Sequence, residues 1–147
     1  MAVQNPVPPK PRPANQPRPG YILLVEDETA LLTIMVEELR GHGYRVEGVE
    51  GVEAALKPFD GGGCLLDRAS LLITDMKLPR GHSGMELLSY LRVHNLSIPV
   101  IAMSAMFNSP GWPREQEVRA AGAMEVMYKP LDLEELYEVL QKYIHHP

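Results

Sequence analysis

Four short apolar runs in this chain each lead into polar residues that could take part in phosphoryl chemistry. The polar residues are, in chain order, Glu26 and Asp27, Asp75, Ser104 and Lys129, and the runs before them are residues 21–25, 71–74, 98–103 and 124–128. If these runs are parallel strands joined by crossover helices, all four ends lie at one edge of one sheet, where open α/β folds bind ligands. The sequence therefore predicts carboxylates, a hydroxyl and an amine in one crevice.

Each of these residue types suits one task in phosphoryl transfer, which needs a nucleophile, a metal and donors to the phosphoryl oxygens. Asp75 can attack as a carboxylate and form an aspartyl phosphate. Asp27 and Glu26 can hold Mg²⁺, because crowded carboxylates repel one another unless a cation lies among them. Lys129 and Ser104 can bind phosphoryl oxygens, as a charge and as a rotatable donor. Taken alone, an acid after a strand is more often a cap or turn residue; the combination favours a site.

Composition limits the class of protein and its partners. The chain has 147 residues, enough for one domain, and a formal net charge of -5. Residues 1–20 carry three basic residues and no acid, so the remainder carries -8. An acidic body argues against a nucleic-acid-binding domain, which needs a basic surface. The chain has one cysteine, which cannot form an internal disulfide, so we expect a cytoplasmic protein. It has no apolar run long enough to span a bilayer, so we expect no contact with a membrane.

The chain divides into a leader and one domain. Seven of the fourteen prolines fall in residues 1–20, which we expect to be a disordered leader, although a PxxP-like pattern there could also bind a recognition domain. Residues 21–147 read as five β/α units, which predict a doubly wound α/β fold with a five-stranded parallel sheet in the order 2-1-3-4-5. A short helix broken at Pro58 is expected over residues 50–59, Pro113 at the first position of a helix over 114–121, and Asp132 as the N-cap of the last helix.

The site residues resemble those of the response-regulator receiver family of two-component signalling. Residues 22–28 are similar to its acidic motif after strand one, and residues 72–79 to its phosphoacceptor motif with a trailing proline. Met103-Ser104-Ala105 resembles the Thr/Ser-Ala switch, and Gly122-Ala123 with Lys129-Pro130 resembles the closing signature. The resemblance extends from Tyr21 to Ile144.

The resemblance implies a function and its partners. A histidine kinase or phosphotransfer protein would donate a phosphoryl group to Asp75 in a Mg²⁺-dependent step, with Asp27, Glu26, Asp75 and the backbone carbonyl of Lys77 around the metal. Ser104 would then move towards the phosphoryl group, and the face of helix four, strand five and helix five would change for a downstream protein. An added charge of roughly -1.5 to -2 beside a movable hydroxyl is a sufficient local cause for such a change.

Three positions depart from the family pattern near the expected switch. Val126 stands where the family often has an aromatic residue that moves with the hydroxyl. Lys77 could pair with the phosphoryl group, hinder an attacking water or remain solvated. Trp112 lies in a loop that is longer than usual after Ser104, and it could pack locally or take part in output to a partner.

Three functions compete at this stage. The leading one is a stand-alone phosphoacceptor that catalyses only its own phosphorylation and dephosphorylation and is otherwise not an enzyme. The second is a receiver-like interaction scaffold that acts without phosphorylation, which Val126 and the altered loops favour. The third is an aspartate-nucleophile phosphatase, which would need a second aspartate two residues after Asp75, where this chain has Lys77.

Overall fold

Five parallel strands form one sheet in the computed structural model, which describes residues 21–144. The strands are β1 (Tyr21–Val25), β2 (Arg45–Val49), β3 (Leu71–Asp75), β4 (Val100–Ser104) and β5 (Glu125–Tyr128). They lie in the order β2-β1-β3-β4-β5, which confirms the predicted topology. The predicted leader, residues 1–20, lies outside the described residues.

Six helices accompany the sheet in the described part of the chain. They are α1 (Thr29–Gly41), α2 (Val52–Leu56), α3 (Leu65–Arg68), α4 (Gly84–Val93), α5 (Glu115–Ala120) and α6 (Leu133–Tyr143), and a 3-10 turn lies at Pro79–Gly81. None of the helices within residues 21–144 is long and apolar enough to cross a membrane. Because α3 was not predicted, the fourth and fifth helices of the sequence prediction correspond to α5 and α6.

Local chemistry explains where the predicted helix boundaries were wrong. The helix expected over residues 50–59 is only α2, because Lys57 precedes Pro58 and adopts an extended conformation. The unpredicted α3 begins where the Asp67 carboxylate accepts a hydrogen bond from the Cys64 amide (2.7 Å). Helix α5 begins at Glu115 and not at Pro113, whose carbonyl accepts a bond from Asn108 in the preceding loop.

Hydrophobic packing on both faces fixes the sheet. All residues of β1, β3 and β4 are buried, as expected for central strands of a parallel sheet. Alternate strand residues point to opposite sides: Leu23 and Leu72 pack with one cluster, and Leu24 and Ile73 with another. The first cluster lies under α2 to α5 and the second under α1 and α6. The strand ends that carry the polar residues are therefore held rigidly.

Helix α4 begins directly beside the end of β3. The Ser83 hydroxyl accepts from the Met85 amide (3.1 Å), and the Glu86 carboxylate accepts from the Ser83 amide (2.8 Å). The Gly84 amide donates to the Met76 carbonyl (3.1 Å). A Cβ atom at Gly84 would lie 2.6 Å from the Asp75 carbonyl oxygen and 2.8 Å from the Met76 sulfur. Only glycine fits this approach without a shift of the backbone.

Gly84→Ala should therefore lower the free energy of unfolding by about 1–3 kcal/mol through overpacking. Urea denaturation measures this change. Gly41→Ala is the matched control, because a Cβ atom there meets nothing within 4 Å and alanine is favoured over glycine in a helix. A Gly84→Ala midpoint equal to that of wild type would contradict the close approach.

Candidate functional site

Three carboxylates meet where β1 and β3 end. Val25 pairs with Thr74 across these two strands, so the residues that follow, Glu26 and Asp75, are neighbours. Carboxylate oxygens of Glu26, Asp27 and Asp75 all lie within 4.8 Å of one another. Glu26 is fully buried and Asp75 is almost so, whereas Asp27 is exposed. This arrangement is the predicted carboxylate cluster.

Lys129 lies against two of the three acids. Its ammonium group donates to Asp75 Oδ2 (2.6 Å) and to Glu26 Oε1, and its side chain is 17% exposed. The Lys129 amide donates to the Ser104 carbonyl (2.9 Å), which fixes the start of the side chain beside β4. Burial alone would lower the pKa of Lys129, but the hydrogen bonds to Asp75 and Glu26 outweigh it and the net shift raises the pKa. The ammonium group therefore stays charged in the crevice.

Asp27 differs from Glu26 in what its carboxylate touches. Both Glu26 oxygens are already engaged, Oε1 by Lys129 and Oε2 by the Glu28 amide (3.1 Å). Asp27 faces solvent, yet partial desolvation and then a hydrogen bond shared with Glu26 raise the pKa of its carboxyl group. A cation added beside Asp27 would relieve this crowding. Oxygen ligands on three neighbouring acids are the donor set that Mg²⁺ prefers.

Ser104 ends β4 next to this cluster. It follows Met103, the β4 residue that pairs with Asp75. Its buried hydroxyl donates to the Met106 carbonyl (2.7 Å) and accepts from the Met106 amide (3.2 Å). The hydroxyl therefore ties the first turn of the following loop to the strand.

Lys77 reaches the Asp75 carboxylate through its backbone. The Lys77 amide donates to Asp75 Oδ1 (3.2 Å), and Lys77 forms an antiparallel bridge with Ser83. The ammonium nitrogen of its side chain lies 4.3 Å from the centre of the Trp112 ring. The role predicted for the Lys77 carbonyl at a metal stays a prediction.

Comparison with known proteins decides the family. The family model for the response regulator receiver domain matches residues 22–141. The chain belongs to this family. Receiver domains are signalling modules of two-component systems that are phosphorylated on an aspartate by histidine kinases or phosphotransfer proteins, and they bind Mg²⁺ at an acidic pocket.

Individual relatives agree with this assignment. The uncharacterized transcriptional regulatory protein YkoG of Bacillus subtilis is 36% identical over 121 residues, which are 80% of this chain and 47% of YkoG. Sporulation initiation phosphotransferase F of the same species is 28% identical over 127 residues, 84% of this chain and 92% of that protein. This chain thus spans about half of the first relative and nearly all of the second.

Solved structures show the same fold. The response regulator TrrA of Thermotoga maritima, solved in complex with Mg²⁺ and BeF, has a TM-score of 0.66 and 29% identity, with 84% of this chain and 98% of that chain covered. The receiver domain of a LuxO repressor from Vibrio parahaemolyticus has a TM-score of 0.71 at 24% identity, covering 86% and 89%. The predicted receiver fold is therefore confirmed.

Phe107, an aromatic residue that was not among the predicted site residues, contacts β5 through Tyr128. Val126 is half-buried and packs against a core cluster that includes the buried Phe107. Phe107 contacts Tyr128 edge-on, with ring centres 5.0 Å apart, and the Tyr128 hydroxyl donates to Glu115 (3.0 Å). The signal for Phe107 was an aromatic residue three positions after Ser104, at the start of the long loop.

Proposed function

We propose that this receiver domain acts as a stand-alone cytoplasmic phosphoacceptor that takes one phosphoryl group on Asp75 and signals by a conformational switch. The observation that carries the proposal is the contact of Lys129 with both Asp75 and the buried Glu26, next to the exposed Asp27. This set combines a nucleophile, a charge for the phosphoryl oxygens and oxygen ligands for a metal. The buried, unpaired Cys64 is in keeping with a reducing compartment.

The transfer step uses residues that already lie in contact. A carboxylate oxygen of Asp75 forms a bond to the phosphorus of a phosphohistidine on the donor protein. The phosphorus–nitrogen bond breaks, and its electron pair stays on the donor imidazole, which then takes up a proton. Lys129 holds Asp75 Oδ2 before transfer and has rotatable bonds that let its ammonium group follow the charge to the phosphoryl oxygens.

The three acids fit Mg²⁺, which when bound would offset their charge and that of the phosphoryl group. Asp27 is the main ligand in this proposal, because Glu26 already bonds Lys129 and the Glu28 amide. Glu26 and Asp75 complete the protein ligands, and the Lys77 carbonyl is the remaining candidate.

Asp27→Asn should weaken Mg²⁺ binding by about tenfold or more, because the substitution removes the charge of the acid that is free to turn to the metal. Calorimetric titration with Mg²⁺ measures this change. Asp60→Asn, in the exposed loop between α2 and α3, makes the same substitution away from the cluster and should leave the affinity unchanged. Equal affinities in wild type and Asp27→Asn would place the metal elsewhere.

A groove beside Lys129 supports docking of the phosphodonor protein at this edge of the sheet. It runs between α1 and the segment that joins β5 to α6, and Ile34 on α1 is 54% exposed there. Its lining is mostly apolar: Ala30, Leu31, Ile34, Ala105, Pro130 and Leu131. A donor seated in this groove would present its phosphohistidine beside Lys129, whose ammonium group bonds Asp75. The proposed donor is a histidine kinase or a phosphotransfer protein.

The output route starts at Ser104. When its hydroxyl moves to the phosphoryl group, the two bonds to Met106 break and the following loop is released. Phe107 then transmits the change to Tyr128, whose hydroxyl bonds Glu115 at the start of α5. The face of α5, β5 and α6 changes, and a downstream protein responds. The chain of contacts through Phe107 compensates for Val126 at the usual aromatic position.

Incubation with acetyl phosphate, followed by intact-mass analysis and peptide mapping, tests the proposal. Wild type should gain one phosphoryl mass with Mg²⁺, little with chelator, and the label should map to the peptide that contains Asp75. A chain that gains no mass under these conditions favours the phosphorylation-independent scaffold. Val126 is the observation that keeps this second function open.

A further inference from the structure

Lys77 and Trp112 form a contact that joins the acceptor to the long loop after β4. The Lys77 ammonium nitrogen lies 4.3 Å from the centre of the indole ring, and the Lys77 amide lies 3.2 Å from Asp75 Oδ1. One residue thus touches the phosphoacceptor with its backbone and the loop with its side chain. The proposed transfer step and the route from Ser104 use neither the Lys77 ammonium group nor the Trp112 ring.

The indole ring is held more firmly than the lysine. The Trp112 amide donates to the Ser109 carbonyl (2.9 Å), and the Asn108 amide donates to the Pro113 carbonyl (2.9 Å). The Asn108 side chain accepts from the Glu115 amide (3.0 Å), which ties the loop to the start of α5. Trp112 is half-buried, whereas Lys77 is exposed and its four-carbon side chain has several rotatable bonds. The ammonium group is therefore the more mobile of the two partners.

Two partners compete for this ammonium group once Asp75 is phosphorylated. An aromatic face attracts a cation only through its quadrupole. A phosphoryl group carries a charge of roughly -1.5 to -2 and three acceptor oxygens, so its attraction for a cation is stronger. The Lys77 amide donates to Asp75 Oδ1, so the lysine side chain starts beside the carboxylate that is modified.

We propose that Trp112 is a positioning residue that holds the Lys77 ammonium group over its ring until Asp75 is phosphorylated, when Lys77 leaves the ring and pairs with the phosphoryl oxygens. The inference rests on the proposed function of Asp75. It gives the phosphorylated state a second cation besides Lys129 and frees the indole on the loop next to α5. Lys77 stabilises the phosphorylated state, and Trp112 opposes it by competing for Lys77.

Affinity for Mg²⁺ and beryllofluoride, the latter standing in for the phosphoryl group, tests the competition by calorimetric titration. Lys77→Gln should weaken beryllofluoride binding about three- to fivefold. Trp112→Leu removes the competing ring and should strengthen binding about two- to fivefold. The double variant should match Lys77→Gln alone, because Trp112 acts only through Lys77. Lys57→Gln, at the exposed end of α2, is the matched control and should bind like wild type.

Proton NMR of the Lys77 side chain distinguishes this inference from a purely structural role of Trp112, because it measures whether the lysine lies over the indole ring. Methylene protons above an indole face resonate upfield, and this shift should disappear in Trp112→Leu and also when wild type binds Mg²⁺ and beryllofluoride. The inference is overturned if the upfield shift of the Lys77 protons persists when beryllofluoride is bound. It is also overturned if Trp112→Leu changes beryllofluoride affinity as much in the Lys77→Gln background as in wild type. Wild type that binds no beryllofluoride contradicts the proposed function and this inference together, whereas binding that Lys77→Gln leaves unchanged contradicts this inference alone.

Discussion

Asp75→Asn should gain no phosphoryl mass under conditions that label the wild type to completion. An amide has no anionic oxygen to attack phosphorus, and Asp75 is the only acid at the end of β3 in the described chain. The substitution keeps the shape of the side chain, and Glu26 remains as a partner of Lys129. Labelling is therefore expected to fall below about 1% of wild type while the fold is retained. Intact-mass analysis and circular dichroism measure the two quantities.

The matched control for this result is Asp60→Asn, which removes one carboxylate from an exposed loop and should label like wild type. Both variants have the same change of charge, so a difference between them reports the position of the acid. A phosphoryl mass on Asp75→Asn equal to that on wild type would assign the acceptor to another residue. Loss of label in both variants would point to a general electrostatic effect.

The sheet and the positions of the polar strand ends followed from the sequence because they depend on simple rules. Buried parallel strands read as apolar runs, and crossover helices force their carboxyl ends to one edge. The predicted strand order places the ends of β1 and β3 side by side, so it predicts that Asp75 lies next to Asp27. The short helix α3 was not predicted, because four residues show little helical periodicity. Its start depends on one side chain, the carboxylate of Asp67.

Contacts within the site were less predictable, because they depend on loop backbone geometry. The sequence indicated two adjacent acids after β1 but not that Glu26 would be buried against Lys129 while Asp27 stays exposed. The loop after Ser104 turns at Asn108 (φ 64°) and Gly111 (φ 79°), residues in the left-handed region. These turns direct Phe107 into the core and place Trp112 over Lys77, and no periodicity in the sequence encodes them.

Removing the charge at Lys129 should have the largest effect on stability. Lys129→Met keeps most of the apolar stem of the side chain but leaves Glu26, which is fully buried, and Asp75 without their cation. Removing one partner of a buried ion pair lowers the free energy of unfolding by about 3–5 kcal/mol. The loss is smaller here because Lys129 is 17% exposed, so water can solvate part of the site. The expected loss is about 2–4 kcal/mol in the free energy of unfolding, measured by urea denaturation.

Two further variants separate the loss of charge from the loss of packing. Lys142→Met removes an exposed lysine whose ammonium group lies 3.8 Å from Glu125, and it should change stability by less than about 0.5 kcal/mol. Adding Glu26→Gln to Lys129→Met removes one of the two unpaired buried charges and leaves that of Asp75, so it should restore about 1–2 kcal/mol. If Lys129→Met is as stable as wild type, the two acids are not held by Lys129. A loss that Glu26→Gln does not reduce would mean that packing of the lysine stem, and not its charge, holds the crevice together.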